Sequence, residues 1–283
     1  MIHGRARSLT ILALALIGLS GAASVRAQDV SAWDVQSHAA ARLIAGALVK
    51  TEDATFFRAG LELRLDPGWK TYWRNPGDSG VPPTFDFSGS ENVETARVMW
   101  PAPEQFPDGA GGHSIGYTDD VVLPLRVTPE DAAKPAVLRL KLGYAVCGKL
   151  CIPAQAELEL PLAGNGADES TLKKAELQVP KRVALGARPG LAVVAVHREP
   201  GDKQDRVVVD VDAPAGAAVA LFVEGPTPDW SLPLPEPDGP PAAARRFTFA
   251  LDGLPPNTRA EGAMLTFTAV SNGEAIEVPA RLD

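Results

Sequence analysis

Cys147 and Cys151 are the only thiols in this 283-residue chain. Spaced Cys-x-x-x-Cys, they can bond to each other as a staple, exchange that bond with the thiols of another protein, or hold copper(I) between two thiolates. A closed zinc site wants four ligands. Cys147, Cys151 and His113 supply only three candidates, so no metal and no cofactor is expected.

Which chemistry is open depends on the elements that carry the pair. Before it, Leu138, Leu140, Leu142, Tyr144 and Val146 alternate with Arg139, Lys141, Gly143 and Ala145. After it, Ile152, Ala154, Ala156, Leu158 and Leu160 alternate with Pro153, Gln155, Glu157 and Glu159. Both runs have the period of a half-buried strand. On one continuous strand the sulfurs would lie roughly 13 Å apart, beyond bonding distance. A turn must separate them. Gly148-Lys149-Leu150 suits a three-residue hairpin loop, with Gly148 free to take a positive φ, and sets Cys147 opposite Cys151. Directly opposed antiparallel residues have Cα atoms roughly 4.5 to 5.5 Å apart, which a disulfide accepts. Parity then puts Cys147 on the face of Arg139 and Lys141, and Cys151 on the face of Gln155, Glu157 and Glu159. Both sulfurs are expected on the polar side, outside the core, with Lys149 between them favouring a thiolate.

Three stretches carry a family likeness: YAVCGKLCIP (Tyr144 to Pro153), GWKTYWRNPGDSG (Gly68 to Gly80) and WPAP (Trp100 to Pro103). Together they resemble the periplasmic N-terminal region of the DsbD/ScsB family of thiol:disulfide interchange proteins, the ScsB-type branch more closely, over nearly the whole chain after residue 27. The resemblance implies an immunoglobulin-like β fold in which Cys147 and Cys151 are the redox pair. It implies passage of electrons from a membrane-embedded donor to periplasmic thioredoxin-like partners. It makes Tyr144 and Pro153 supporting residues beside the pair, and Trp69 and Trp73 a wall next to it, although sandwich core is the plainer reading for at least one of these tryptophans. Related domains cover the disulfide with a cap loop. Phe106, in the glycine-rich stretch from Pro103 to Gly116, is the shield this implies, and His113 in the same stretch could assist proton transfer. Family members usually continue into a multi-helix membrane domain and a thioredoxin-like domain; neither is in this sequence, so a separate membrane donor is expected.

Met1 to Ala27 reads as a secretory signal: Arg5 and Arg7, an apolar run from Leu9 to Leu19, and Val25-Arg26-Ala27 as a small-x-small cleavage site. Without it, 24 basic residues face 35 acidic ones, which disfavours nucleic-acid binding. No later stretch has the length of a membrane helix. The remainder is expected to be all-β, with two immunoglobulin-like sandwiches in tandem: residues 28–165 with the cysteines, a helical linker at 166–185, and a second sandwich at 186–283. The linker helix is marked by Asp168, Glu169 and the later Lys173 and Lys174, and is stopped by Pro180. In the second part Val207, Val209 and Val211, Phe247 and Phe249, Leu265 and Phe267, and Ile276 and Val278 each mark a strand. Pro226 to Pro241, with Trp230 in its midst, reads as a stiff connection between strands. The cysteines and both aromatic motifs lie before Gly164, so residues 28–165 are expected to fold alone. The competing function for the whole chain is a secreted, non-enzymatic interaction module whose disulfide is a staple.

Loop size bears on that choice. A disulfide closing a five-residue loop removes little unfolded-state entropy, about 2 kcal/mol in the chain-entropy model against nearly 5 for a long loop. A Cys147→Ser, Cys151→Ser double variant is therefore expected to lose at most about 2 kcal/mol in denaturant unfolding. Failure of that variant to fold would make the pair a staple.

Overall fold

The structure, a computed structural model, describes residues 1, 29–109, 111–164, 166, 168–201, 204–240 and 245–283. Apart from Met1, the expected secretory signal lies outside them. In chain order the strands before the helix are β1 (Asp34–Gln36), β2 (Ala39–Lys50), β3 (Thr55–Leu65), β4 (Lys70–Gly77), β5 (Thr84–Asp86), β6 (Thr95–Val98), β7 (Glu104–Pro107), β8 (His113–Thr118), β9 (Val121–Thr128), β10 (Ala136–Cys147) and β11 (Cys151–Leu162). Helix α1 (Glu169–Glu176) follows. After it come β12 (Lys181–Arg182), β13 (Ala192–Glu199), β14 (Arg206–Asp212), β15 (Ala220–Glu224), β16 (Glu236–Pro237), β17 (Arg246–Ala250), β18 (Met264–Ser271) and β19 (Glu274–Arg281).

The alternation of small apolar and polar residues becomes two sandwiches, as the all-β expectation has it. In the first, the sheet β1-β2-β3-β9-β6 faces the sheet β11-β10-β4-β8-β7, with β5 added against β10. Leu43, Leu61, Leu123 and Leu125 from one sheet meet Leu138, Leu140, Leu160 and Trp73 from the other, all at 0–1 % exposure. In the second, β12-β19-β18-β15 faces β13-β14-β17-β16 around Val207, Val209, Phe249, Phe267 and Val278. Trp230, from the proline-rich connection, is buried in that second core, and Pro237 in the same connection pairs with Phe247. No helix among the described residues is long and apolar enough to cross a membrane.

Helix α1 is more than a connection. Leu172 is fully buried on the outer face of the first sandwich, in space left by Gly46 and Gly60, where a Cβ would fall 2.7 and 2.6 Å from its methyl carbons. Glu169 and Glu176 both pair with Arg58 of β3, at 2.7 and 2.8 Å, and the Ala47 amide donates to Glu169. Mid-strand glycines of this kind mark close approach of another element.

The two cores also meet. Phe222 of β15, 0 % exposed, packs in the first hydrophobic cluster, its ring 5.9 Å from that of Trp73. Truncation of a buried phenylalanine costs about 3–5 kcal/mol. Phe222→Ala is thus expected to lower the unfolding free energy of the whole chain by about 3 kcal/mol or more. A loss below about 1 kcal/mol, the scale of an ordinary surface change, would mean that the sandwiches do not share that contact.

Candidate redox site

Strands β10 and β11 pair in unbroken register from Ala136 opposite Leu162 to Cys147 opposite Cys151. The two cysteine Cα atoms are 4.1 Å apart and the sulfurs are bonded. Across the tip the Gly148 amide donates to the Leu150 carbonyl at 3.1 Å.

Two details of the tip differ from expectation. Gly148 does not have a positive φ. What the position offers is the missing side chain, since a Cβ there would lie 3.1 Å from the Trp69 indole and press on it. The second correction concerns burial: Cys147 is 2 % exposed, whereas Cys151 is exposed. Farther down the hairpin the outer face is polar as parity predicts, with Arg139 paired to Glu159 at 2.6 Å. At the tip that same face is covered from a distant part of the chain. Strand β4 runs beside the end of β10, Thr71 opposite Val146 and Lys70 opposite Cys147, and the Thr71 hydroxyl donates to the Ala145 carbonyl at 2.9 Å. Tyr72, Ala145 and Cys147 then form a small apolar cluster separate from the two cores.

The Tyr72 hydroxyl lies 2.8 Å from Cys147 Sγ and 3.2 Å from Cys151 Sγ. Burial raises the pKa of this phenol, partly offset by the Ser114 hydroxyl, with the Asp108 carboxylate adding to the rise. It therefore stays protonated at neutral pH and has a proton to donate. Motif spacing alone does not single out Tyr72 as a site residue. Its signal is parity within Trp69-Lys70-Thr71-Tyr72-Trp73: neighbours on a strand face opposite ways, so Tyr72 and Trp73 cannot both be core.

The other expected residues are distributed around this centre. Trp73 is core, 0 % exposed. Tyr144 is also on the core face, its pKa pushed up to about 12 by burial with Asp34 adding, and its hydroxyl has no hydrogen-bond partner among the described residues. Trp69 is the tryptophan at the hairpin, stacked on His38 with centroids 3.8 Å apart, while His38 Nδ1 meets Asp66 Oδ2 at 2.8 Å. Together with exposed Lys149 and Leu150, Trp69 and His38 line an open concavity of about 520 Å³ beside the tip. Pro153 is exposed on β11, the edge strand of its sheet, where proline is tolerated. Phe106 is half-buried on β7, the opposite edge of the same sheet, its ring 4.7 Å from Lys70 Nζ. The stretch expected to be a loose cap is mostly the hairpin β7–β8, and His113 begins its second strand, opposite Pro107.

Two short matches to catalytic motifs are explained by strand geometry. Gly143 to Lys149 has the G-x-x-x-x-G-K spacing but continues with Leu150 and runs from β10 into the hairpin, not into a helix. Gly112 to Gly116 reads G-x-S-x-G, yet Ser114 is buried within β8 rather than at a strand-to-helix turn. Among the described residues no three His, Cys, Asp or Glu side chains converge on a possible metal position.

Residues 45–163 match the family model described as thiol:disulfide interchange protein DsbD, N-terminal. The fold is similar to the crystal structure of the N-terminal periplasmic domain of ScsB from Proteus mirabilis, with a TM-score of 0.67 at 23 % identity, covering 90 % of this chain and 98 % of that one. Among curated proteins no sequence matches. The stretch 45–163, which holds both cysteines and Tyr72, is thus the part of the chain that is similar to the N-terminal region of DsbD.

Proposed function

We propose that the chain is a periplasmic thiol:disulfide exchange protein that carries two electrons on the Cys147–Cys151 pair, between a separate membrane-embedded donor and thioredoxin-like partners. The observation that carries this reading is the inequality of two bonded sulfurs under one phenol: Cys151 is open to solvent, Cys147 is buried, and the Tyr72 hydroxyl reaches both. A staple at a hairpin tip needs neither the inequality nor the donor. The family of residues 45–163 and the periplasmic location in the name of the ScsB domain both point the same way.

In the reduced state the Cys151 thiolate attacks one sulfur of a partner's disulfide. An S–S bond forms between the chains, and the partner's other sulfur leaves as a thiolate. The Cys147 thiolate then attacks Cys151 Sγ, which re-forms the internal disulfide and releases the second partner sulfur. Two electrons have passed to the partner and no further reactant is needed. Recharging by a donor dithiol runs the same steps in reverse. Throughout, the Tyr72 O–H donates to whichever sulfur carries the charge, a hydrogen bond that strengthens as the sulfur becomes anionic.

Trapping tests the assignment of the two sulfurs. With Cys147→Ser, the remaining Cys151 is expected to hold an oxidised thioredoxin-like protein as a mixed disulfide, seen on non-reducing gels and by mass. Cys151→Ser should trap far less, because its remaining thiol is buried. Equal trapping by both, or none by either, contradicts the mechanism.

Tyr72→Phe keeps the ring and deletes the donor. Hydrogen bonds to charged groups contribute about 1.5–3 kcal/mol, so the apparent pKa of the first thiol to ionise in the reduced protein should rise by about one to two units. The direction follows from the donor favouring the charged form, whose loss leaves the thiolate less stable. Iodoacetamide alkylation rate against pH measures it; an unchanged profile would remove Tyr72 from the site.

A further inference from the structure

The position of Tyr72 is set from outside its own sandwich. The three residues that follow it on β4 are each held by one of three consecutive residues of β15. The Trp73 ring packs on Phe222, their centroids 5.9 Å apart. The Asn75 amide donates to the Val223 carbonyl at 3.0 Å. Arg74 makes a bidentate pair with Glu224, at 2.8 and 2.7 Å, and reaches Glu277 of β19 at 2.7 Å. Its guanidinium also lies 4.5 Å from the Trp73 ring centroid. These charges are largely withdrawn from solvent, with side-chain exposures of 28 % for Arg74, 19 % for Glu224 and 21 % for Glu277. The two carboxylates raise the pKa of Arg74 against the opposing effect of burial.

The anchored segment turns back over Tyr72. A Cβ on Gly80 would fall 2.7 Å from Tyr72 Cδ1 and 2.3 Å from Pro76 Cβ, so Gly80, folded back on Pro76, lies directly on the phenol ring. Tyr72 is thus gripped on both sides: its own strand is tied down at the next three residues, and the ring is covered by the turn those residues lead into. Interfaces between sandwiches in one chain are by default small, polar and mobile. This one instead carries a shared apolar contact and a half-buried, bidentate ion pair.

We infer that the second sandwich is a positioning element for the redox pair: Glu224 and Glu277, by clamping Arg74, hold the Tyr72 hydroxyl against the two sulfurs. The inference rests on the exchange reading above and assigns the second sandwich a role in it. Glu224 and Glu277 touch neither sulfur, so their positioning effect on the cysteines runs through Tyr72.

Electrostatics gives this inference a signed test. Removing two carboxylates without moving anything would leave the thiolate less repelled and lower the thiol pKa. Loss of the clamp should raise it, because the Tyr72 donor drifts from the sulfur. For the double variant Glu224→Gln, Glu277→Gln, the alkylation profile of the reduced whole chain is expected to shift upward in pH, by about half a unit or more, a fraction of the Tyr72→Phe shift. Asn75→Ala, which leaves every charge in place, should shift it the same way. In a Tyr72→Phe background neither change should add a further upward shift, since coupled residues are not additive. Near-ultraviolet circular dichroism identifies folded variants; if the double variant does not fold, Asn75→Ala and its combination with Tyr72→Phe carry the test. A profile that moves down, stays where it was, or shifts equally with and without the Tyr72 hydroxyl overturns the inference. Exchange between the unaltered chain and a thioredoxin-like protein, measured alongside, separates that outcome from failure of the exchange reading itself.

Discussion

The register between β10 and β11 is the constraint from which the site follows. The side-chain period of a strand is two, so a slip of one residue would turn Leu138, Leu140 and Leu142 out of the core and part the sulfurs. The buried leucines of the hairpin therefore specify the cysteine pairing more firmly than the turn does. Core residues such as Leu140 and Leu160, at about one per cent exposure, have no place to go but the facing sheet. The disulfide is a consequence of that packing and sits where the packed region ends.

What distinguishes the tip from the rest of the hairpin is a second layer on the outer face. Sandwiches present one face of each sheet to solvent as a rule. Here β4 lays Tyr72 over Cys147 while Cys151 stays outside, so one sulfur of the bond is accessible and the other is kept from water. Thiol exchange needs this division, since an attacking thiolate must reach one sulfur while the second is retained to resolve the mixed disulfide. The phenol between them is a donor that costs no reorganisation when charge appears. The ties from β15 and β19 to Arg74 and Asn75 extend the same arrangement across both sandwiches.

Much of this was legible in the residues. Alternation on both sides of Cys147 and Cys151 gave the hairpin and the opposed pair, because period and register are local properties. Burial at the tip was not local: the ring that covers Cys147 belongs to a residue 75 positions earlier. Parity correctly kept both sulfurs off the core face, but it cannot tell an open outer face from a covered one. Residue type suggests a conformational role for Gly148, but without a positive φ its role is spatial, leaving room beside Trp69. The mid-strand glycines 46 and 60 carried a readable sign that something packs over them, and that something is the helix expected to be a mere connection. The clamp on Arg74 was out of reach, since its partners lie 150 and 203 residues away.

The central claim is that the Cys147–Cys151 bond exists to be exchanged. Its reduction potential, obtained by equilibrating the purified protein in thiol redox buffers, tests this most directly. Structural disulfides typically lie below about −300 mV, and an exchanging pair must lie above that value to be reduced and reoxidised by thioredoxin-like partners. A potential above about −300 mV is predicted, and a bond that resists reduction below it would contradict the account.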